Sequence, residues 1–168
     1  MVSREIINKI EDAGLITLDL QDFIKPGKRA ELDLADWLEN GLIIKEASFK
    51  NKLQRFHWEE LTGCFVAVFC SKDVIIPAWA YLLIQTKLRD VASQVFFSDI
   101  HTMNLLLFQQ QLNTLDIKNY KNKRVFLKVC VGNKIPIGAF ALFAEKLFPH
   151  VKSLFYGEPC SSIPLIKN

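Results

Sequence analysis

Short apolar runs and longer segments with helical spacing alternate along most of the chain. After residue 46 the apolar runs fall at 65–70, 94–98, 124–130 and 153–157. The segments with helical spacing are 47–56, 77–91, 100–113 and 136–148. Strands that alternate with helices of this length are typical of βαβ units and a parallel sheet. The pattern therefore predicts an α/β fold in which these four strands form one parallel sheet.

The segment 65–99 recurs as the segment 125–158. Each copy is a strand, a loop, a helix that opens with a proline and a second strand, which is a βαβ unit. Before the helix the separation between the copies is 60, which pairs Cys70 with Cys130 and indicates one residue gained or lost in a loop. From there on it is 59, and we expect the two units to superpose. Identical residues at this separation include Ile76/Ile135, Pro77/Pro136, Ala80/Ala139, Leu83/Leu142 and Phe96/Phe155.

The amino-terminal part follows a different pattern. Glu5–Ala13 carries isoleucines at helical spacing, and Gly14 after it is typical of the end of a helix. Residues 15–20 and 31–34 alternate apolar and polar side chains, with Pro26-Gly27 between them as turn residues. We therefore predict a short N-terminal helix followed by a small antiparallel hairpin.

The composition fits one compact domain. The chain has 168 residues, 50% of them hydrophobic and 13 of them phenylalanine, which is enough for a sizeable core. We expect a single domain with the N-terminal helix and hairpin in 1–45, the first repeat in 46–99, and the second repeat and tail in 100–168.

Charge and hydropathy exclude several partners. The net charge is +3, and the one local concentration of basic residues, from Lys118 to Arg124, is typical of a solvated loop. We therefore expect no nucleic-acid partner.

No stretch reaches the ~18 apolar residues of a spanning helix, and no signal core follows the start, so we expect no membrane partner and a cytoplasmic location. The four cysteines are widely spaced, and we expect no disulfide.

Polar side chains follow the strands at the predicted carboxyl edge of the sheet. Ligands of open parallel sheets bind beyond this edge, where loops and helix amino termini converge. We therefore predict a binding site there. The candidate binding residues are Ser71, Asp73, Trp79, Asp99, Glu158, Cys160, Ser161 and Ser162.

Some of these residues also suit metal or covalent chemistry. Asp73, Asp99, His101 and Cys160 combine hard and soft ligands, although the sequence specifies no metal. Cys160 is the candidate nucleophile, since helix amino termini near it would favour the thiolate. We expect it to react faster than the cysteines in strands. The sequence has no dinucleotide-binding, phosphate-loop, nucleophile-elbow or zinc-protease motif, so it names no cofactor and leaves catalysis open.

Each candidate also has a purely structural interpretation. Asp99 would cap the helix that follows it, and Asp73 would bond the turn before its helix. Trp79 would simply pack, although the second copy has Gly138 at this position, so the copies differ where a ligand would touch. Cys160 would be an ordinary small loop residue.

Two stretches of the sequence resemble a known family. They are Phe69-Cys70-Ser71-x-Asp73-x-Ile75-Ile76-Pro77-x-Trp79-Ala80-Tyr81 and Tyr156-Gly157-Glu158-x-Cys160-Ser161-Ser162-x-Pro164-Leu165. Together with Leu15-Ile16-Thr17-Leu18-Asp19 and the chain length, they are similar to a family of uncharacterised bacterial proteins, domain of unknown function 2480. The resemblance covers the whole chain. It implies a bacterial protein and supplies no reaction, cofactor or site residue.

Two classes of function follow from the sequence. The first is small-molecule or metal-ion binding at the loops of the carboxyl edge, with or without catalysis. The second is a non-catalytic scaffold or protein-interaction module whose loops are only well capped. Either class is compatible with an oligomer.

Overall fold

The computed structural model describes residues 10–11, 15–128 and 135–168. Its strands are β1 (Ile10–Glu11), β2 (Leu15–Asp19), β3 (Arg29–Asp33), β4 (Phe65–Phe69), β5 (Gln94–Phe96), β6 (Arg124–Lys128), β7 (Ser153–Glu158) and β8 (Ser161–Lys167). Its α-helices are α1 (Glu46–Arg55), α2 (Ala78–Leu88), α3 (Ile100–Leu112) and α4 (Ile137–Leu147). No helix of the described residues is long and apolar enough to cross a membrane.

The chain divides into two compact units. Unit 1 comprises residues 1–25 and 104–168, and unit 2 comprises residues 26–103. Unit 2 is therefore inserted, in chain order, between the two segments of unit 1. It takes in part of the segment that sequence analysis assigned to the N-terminal helix and hairpin, and the single domain stays a prediction.

Each unit contains one sheet. Unit 1 holds the order β1-β2-β6-β7-β8, and unit 2 holds the order β3-β4-β5. The pairs β4–β5 and β6–β7 are parallel, so the mostly parallel α/β fold with two βαβ units is confirmed. The prediction that their four strands form one sheet is wrong, because each βαβ unit pairs its first strand with a different partner. In unit 2 the first strand, β4, pairs with β3, and in unit 1 the first strand, β6, pairs with β2. Both pairs are parallel.

The predicted antiparallel hairpin is also wrong. Both of its strands exist, as β2 and β3, but they lie in different sheets and do not pair with each other. Among the described residues the antiparallel pairs are β1–β2 and β7–β8. The predicted helix Glu5–Ala13 lies outside the described residues except for Ile10–Glu11, which form β1. Alternating side chains identify a strand without naming its partner, since the partner is fixed by long-range packing.

The two βαβ units keep one separation throughout. Phe65 pairs with Gln94 in unit 2, and Arg124 pairs with Ser153 in unit 1. Each residue of the second pair lies 59 positions after its counterpart in the first. The helices agree, because α4 begins and ends 59 residues after α2. The predicted change of separation to 60 before the helix is therefore wrong.

A second correspondence joins the remaining parallel strands, β2 and β3. Each is followed by a 3₁₀ helix, Leu20–Phe23 in unit 1 and Leu34–Trp37 in unit 2. Both strands end in Leu-Asp, and each 3₁₀ helix reads Leu-x-Asp-aromatic, at a separation of 14. The carboxylates of Asp19 and Asp33 accept hydrogen bonds from the backbone two residues ahead. This pair does not stand out in the sequence, because its separation differs from the 59 of the other elements.

Each unit has its own hydrophobic core. In α2 and α4 the buried residues recur every four positions, which places them on one face of the helix. These faces pack with the buried residues of the strands in the same unit. The buried positions are Ala80, Ile84 and Leu88 in α2 and Ala139, Phe143 and Leu147 in α4.

Candidate functional site

Asp99 serves as the N-terminal cap of α3. Its carboxylate accepts hydrogen bonds from the backbone N–H groups of His101, at 2.8 Å, and Thr102, at 2.9 Å. The Thr102 hydroxyl donates a third bond at 3.0 Å. The bonds from Thr102, reinforced by the one from His101, lower the pKa of Asp99. The oxygens of Asp99 are therefore engaged within the helix terminus.

Asp33 ties two strand ends of unit 2 together and was not among the predicted site residues. Its carboxylate accepts from the backbone N–H groups of Ala35, at 2.9 Å, and Ser71, at 3.0 Å. Burial alone would raise the pKa of Asp33, but hydrogen bonds from Ser71 and Ala35 and the charge of Lys72 lower it below its usual value. The Ser71 backbone thus holds the loop after β4 against the end of β3. The repeated Leu-Asp signal of β2 and β3 would have singled out this aspartate.

The predicted metal ligands are divided between the units. Asp73, Asp99 and His101 belong to unit 2, whereas Cys160 belongs to unit 1. Asp73 and His101 are exposed. Within residues 10–11, 15–128 and 135–168, no three histidine, cysteine or acidic side chains are grouped as a metal site would require.

The second set of predicted residues lies in a hairpin. Cys160 is exposed in the two-residue turn between β7 and β8. Glu158 and Ser161 face each other across this turn, and Ser162 follows in β8. The segment predicted as a loop is therefore the end of an antiparallel strand pair. The sequence did not predict β8, because Pro164 within it is a signal against a strand.

Trp79 lines a groove between α1 and α2 of unit 2, with a volume of about 410 Å³. This volume lies within the range of small-molecule sites. The indole ring packs edge-on against Phe49, with ring centroids 5.4 Å apart, and Phe49 is fully buried. The wall that Trp79 provides is therefore anchored in the core of unit 2. The other lining residues are Glu46, Lys50, Leu82, Leu83 and Thr86.

The sequence of α2 explains why this face is open. Its core face is formed by residues that are buried against the sheet, and a second stripe of side chains lies beside that face, partly packed on the core and partly open. This stripe contains Trp79, Leu82, Leu83 and Thr86, at the spacing of three and four that keeps side chains together on a helix. Leu82 retains 60% of its surface exposed, so the outer side of this stripe is open to solvent.

The equivalent place in unit 1 is filled. Gly138 takes the position of Trp79, and Leu105 takes the position of Glu46, each 59 residues later. A Cβ atom at Gly138 would lie 3.1 Å from a methyl group of Leu105, so the leucine packs directly onto the glycine. A tryptophan has no room there unless Leu105 moves. At this position the described part of unit 1 therefore differs from unit 2, where Trp79 lines the groove.

Unit 1 has a basic edge at the amino ends of β6 and β7. The Lys152 N–H donates to the Lys123 carbonyl at 2.8 Å, which brings these two residues together. Ser153 pairs with Arg124 on one side and with Lys167 on the other. We define the basic edge as Lys121, Lys123, Arg124, Lys152 and Lys167, all of them exposed. The positions in unit 2 that correspond to the first four are Thr62, Cys64, Phe65 and Ser93.

The comparison with protein families identifies the chain. A family model described as "Protein of unknown function (DUF2480)" matches residues 4–168, so the chain belongs to that family. The resemblance found in the sequence is thereby confirmed. Neither a curated protein nor a solved structure shows a significant similarity to the chain.

Proposed function

We propose that the protein binds a small, largely apolar molecule in the groove between α1 and α2 of unit 2. The observation that carries the proposal is the contrast between Trp79 and Gly138. At the same place in two corresponding units, one is closed by leucine on glycine and the other is lined by an anchored indole. Trp79 belongs to the predicted binding residues, whereas Asp99 and the Ser71 backbone are engaged in structural hydrogen bonds.

The volume of the groove limits the size of the ligand and the apolar surface that the ligand can bury there. A volume of about 410 Å³ accommodates a molecule of one or two rings. A ligand that buries about 150 Å² of apolar surface there gains roughly 4 kcal/mol from apolar contact. Association costs offset part of this gain, so we expect dissociation constants on the order of millimolar or weaker.

A matched pair of variants tests the proposal. Leu82 lines the groove with 60% of its surface exposed, and Ile75 is 92% exposed and does not line it. Leu82→Ser and Ile75→Ser therefore each remove an exposed aliphatic side chain from unit 2. Saturation-transfer NMR with a library of one- and two-ring compounds should show hits for the native protein that Leu82→Ser loses and Ile75→Ser keeps. A library without hits, or hits equally affected by both variants, would contradict the proposal.

A second candidate function is docking of an acidic protein segment on the basic edge of unit 1. The segment 104–168 contains nine Lys and Arg against three Asp and Glu, whereas the whole chain is nearly balanced. Exposed cations at and just before the ends of adjacent strands are complementary to a run of carboxylates. Fluorescence anisotropy with labelled poly-glutamate should show salt-sensitive binding that Lys123→Glu weakens. Lys87→Glu, at an exposed position of unit 2, is the control, and an equal effect of both variants would contradict the docking surface.

A further inference from the structure

We infer that the ligand of the groove is a zwitterion with an apolar body, the chemistry of an apolar amino acid. This inference rests on the proposed function and specifies its ligand. It follows from the two charged residues among the groove's lining, Glu46 and Lys50, which lie beside the apolar wall.

Glu46 and Lys50 form an ion pair on the groove side of α1. They lie one helical turn apart, and the Lys50 Nζ is 2.5 Å from the Glu46 Oε1. The hydrogen bond and charge of Lys50 lower the pKa of Glu46, so the carboxylate is ionised at neutral pH. Both side chains remain more than half exposed, so the pair is weakly held and its partners can be exchanged.

The complement of this arrangement carries both charges at one end. An ammonium group of the ligand would pair with Glu46 and a carboxylate with Lys50, while the apolar body lies on Trp79 and Leu82. A simple acid satisfies Lys50 but places like charge beside Glu46. A simple amine pairs with Glu46 but places like charge beside Lys50. A molecule with both groups therefore gains from each residue without repulsion from the other.

Unit 1 supports this assignment by contrast. The positions of Glu46 and Lys50 correspond there to Leu105 and Gln109, which carry no charge. Leu105 is the residue that packs onto Gly138 and fills the equivalent place. The ion pair is thus present in the unit with the groove and replaced in the unit where the groove is closed.

Three compounds with the same phenylethyl body separate the possibilities. Phenylalanine is the zwitterion, 3-phenylpropionate the anion and 2-phenylethylamine the cation. Calorimetric titration of the full chain at neutral pH and low salt should give phenylalanine an affinity about tenfold higher than either single-charge compound. The variant Glu46→Gln should lower phenylalanine to about the affinity of 3-phenylpropionate, and Lys50→Gln to about that of 2-phenylethylamine.

A control ion pair checks that the effect is local. Arg89 and Asp90 form an exposed pair in the same unit, with 2.8 Å between Nη2 and Oδ2, outside the groove lining. Asp90→Asn should leave all three affinities within about twofold.

The outcomes distinguish this inference from the proposed function. Equal affinities of the three compounds, each reduced by Leu82→Ser, would overturn the zwitterion inference and leave the groove as a binding site. Preference for phenylalanine that is unchanged in Glu46→Gln and Lys50→Gln would also overturn it. Failure of all three compounds to bind, while library hits remain sensitive to Leu82→Ser, would reject the ligand class alone. Absence of hits sensitive to Leu82→Ser would reject the groove itself.

Discussion

Gly63 and Asn122 occupy corresponding turns with the same left-handed backbone conformation, φ being 70° and 59°. The Gly63 N–H donates to the Val91 carbonyl and the Asn122 N–H to the His150 carbonyl, each at 2.9 Å. The two donors are 59 residues apart in the chain, and so are the two acceptors. Glycine and asparagine are the residues that enter this conformation at lowest cost. The two units therefore share backbone features as well as strand order.

Replacing Gly63 with asparagine should change the free energy of unfolding by less than about 1 kcal/mol, because Asn122 adopts this conformation in unit 1. Gly63→Val should cost about 2 kcal/mol or more, since a β-branched residue is strained there. Apart from its two chain neighbours, no atom of the described residues lies within 4 Å of a Cβ built at Gly63, so the cost is one of backbone conformation. Urea unfolding of both variants tests this expectation. Equal losses would contradict it.

Asp33→Asn should lower the free energy of unfolding at neutral pH by about 1–2 kcal/mol, because it weakens the bonds to Ala35 and Ser71. The pKa of Asp33 is lowered in the folded state. Its stabilisation is therefore complete above the unfolded pKa, about 4, and is lost as pH falls through the folded pKa. The difference in the free energy of unfolding between the native protein and the variant, called the gap below, should close between about pH 5 and pH 2. Denaturant unfolding at several pH values measures this gap.

Asp36→Asn is the control for Asp33, because Asp36 is an exposed residue of the same 3₁₀ helix. It should change stability by no more than about 0.5 kcal/mol at any of these pH values. A gap for Asp33→Asn that stays constant with pH would contradict the account of its carboxylate.

Asp99→Ala should cost about 1 kcal/mol of stability, because the N–H groups of His101 and Thr102 lose their cap. Asp73→Ala provides the comparison, since Asp73 is exposed in the bend after β4. Thermal unfolding should place Asp99→Ala clearly below the native midpoint and Asp73→Ala close to it. The reverse order would show that Asp73, and not Asp99, organises this edge.

The sequence predicted the elements of the fold better than their partners. The helices follow from apolar spacing and from the prolines that precede α2 and α4, which are local signals. The pairing of β2 with β6 and of β3 with β4 joins residues far apart in the chain. Nothing in the alternation of either strand states which sheet it joins, because the alternation describes only its two faces.

The residues of the candidate site were likewise only partly predictable from the sequence. Trp79 stood out from the sequence, because the second copy has Gly138 at its position. Glu46 and Lys50 did not, because an acid and a base one turn apart are ordinary on an exposed helix. Their relevance depends on α1 lying beside α2, which is tertiary information. The predicted loop around Cys160 failed for a related reason, since β8 is recognisable only through its partner β7.

Cys160 should react with iodoacetamide before the other described cysteines. It is exposed at the tip of the β7–β8 hairpin, whereas Cys70 is half-buried and Cys64 is buried. Cys130 lies outside the described residues, and its lower reactivity stays a prediction from the sequence. Peptide mapping after brief labelling of the native protein measures the order, with Cys160→Ser as the control for peptide assignment. Labelling of Cys64 as fast as Cys160 would contradict the burial of the Cys64 side chain.

Fluorine NMR of protein labelled with 5-fluorotryptophan tests the groove most directly. The chain has three tryptophans, and Trp79→Phe assigns the signal of the one that lines the groove. Trp37 and Trp58 pack together, with ring centroids 6.2 Å apart, and neither lines the groove. On titration with a library compound whose binding Leu82→Ser abolishes, the Trp79 signal should show a saturable shift, with the other two signals nearly unchanged. No shift of the Trp79 signal, or a larger shift of Trp37 or Trp58, would contradict this expectation.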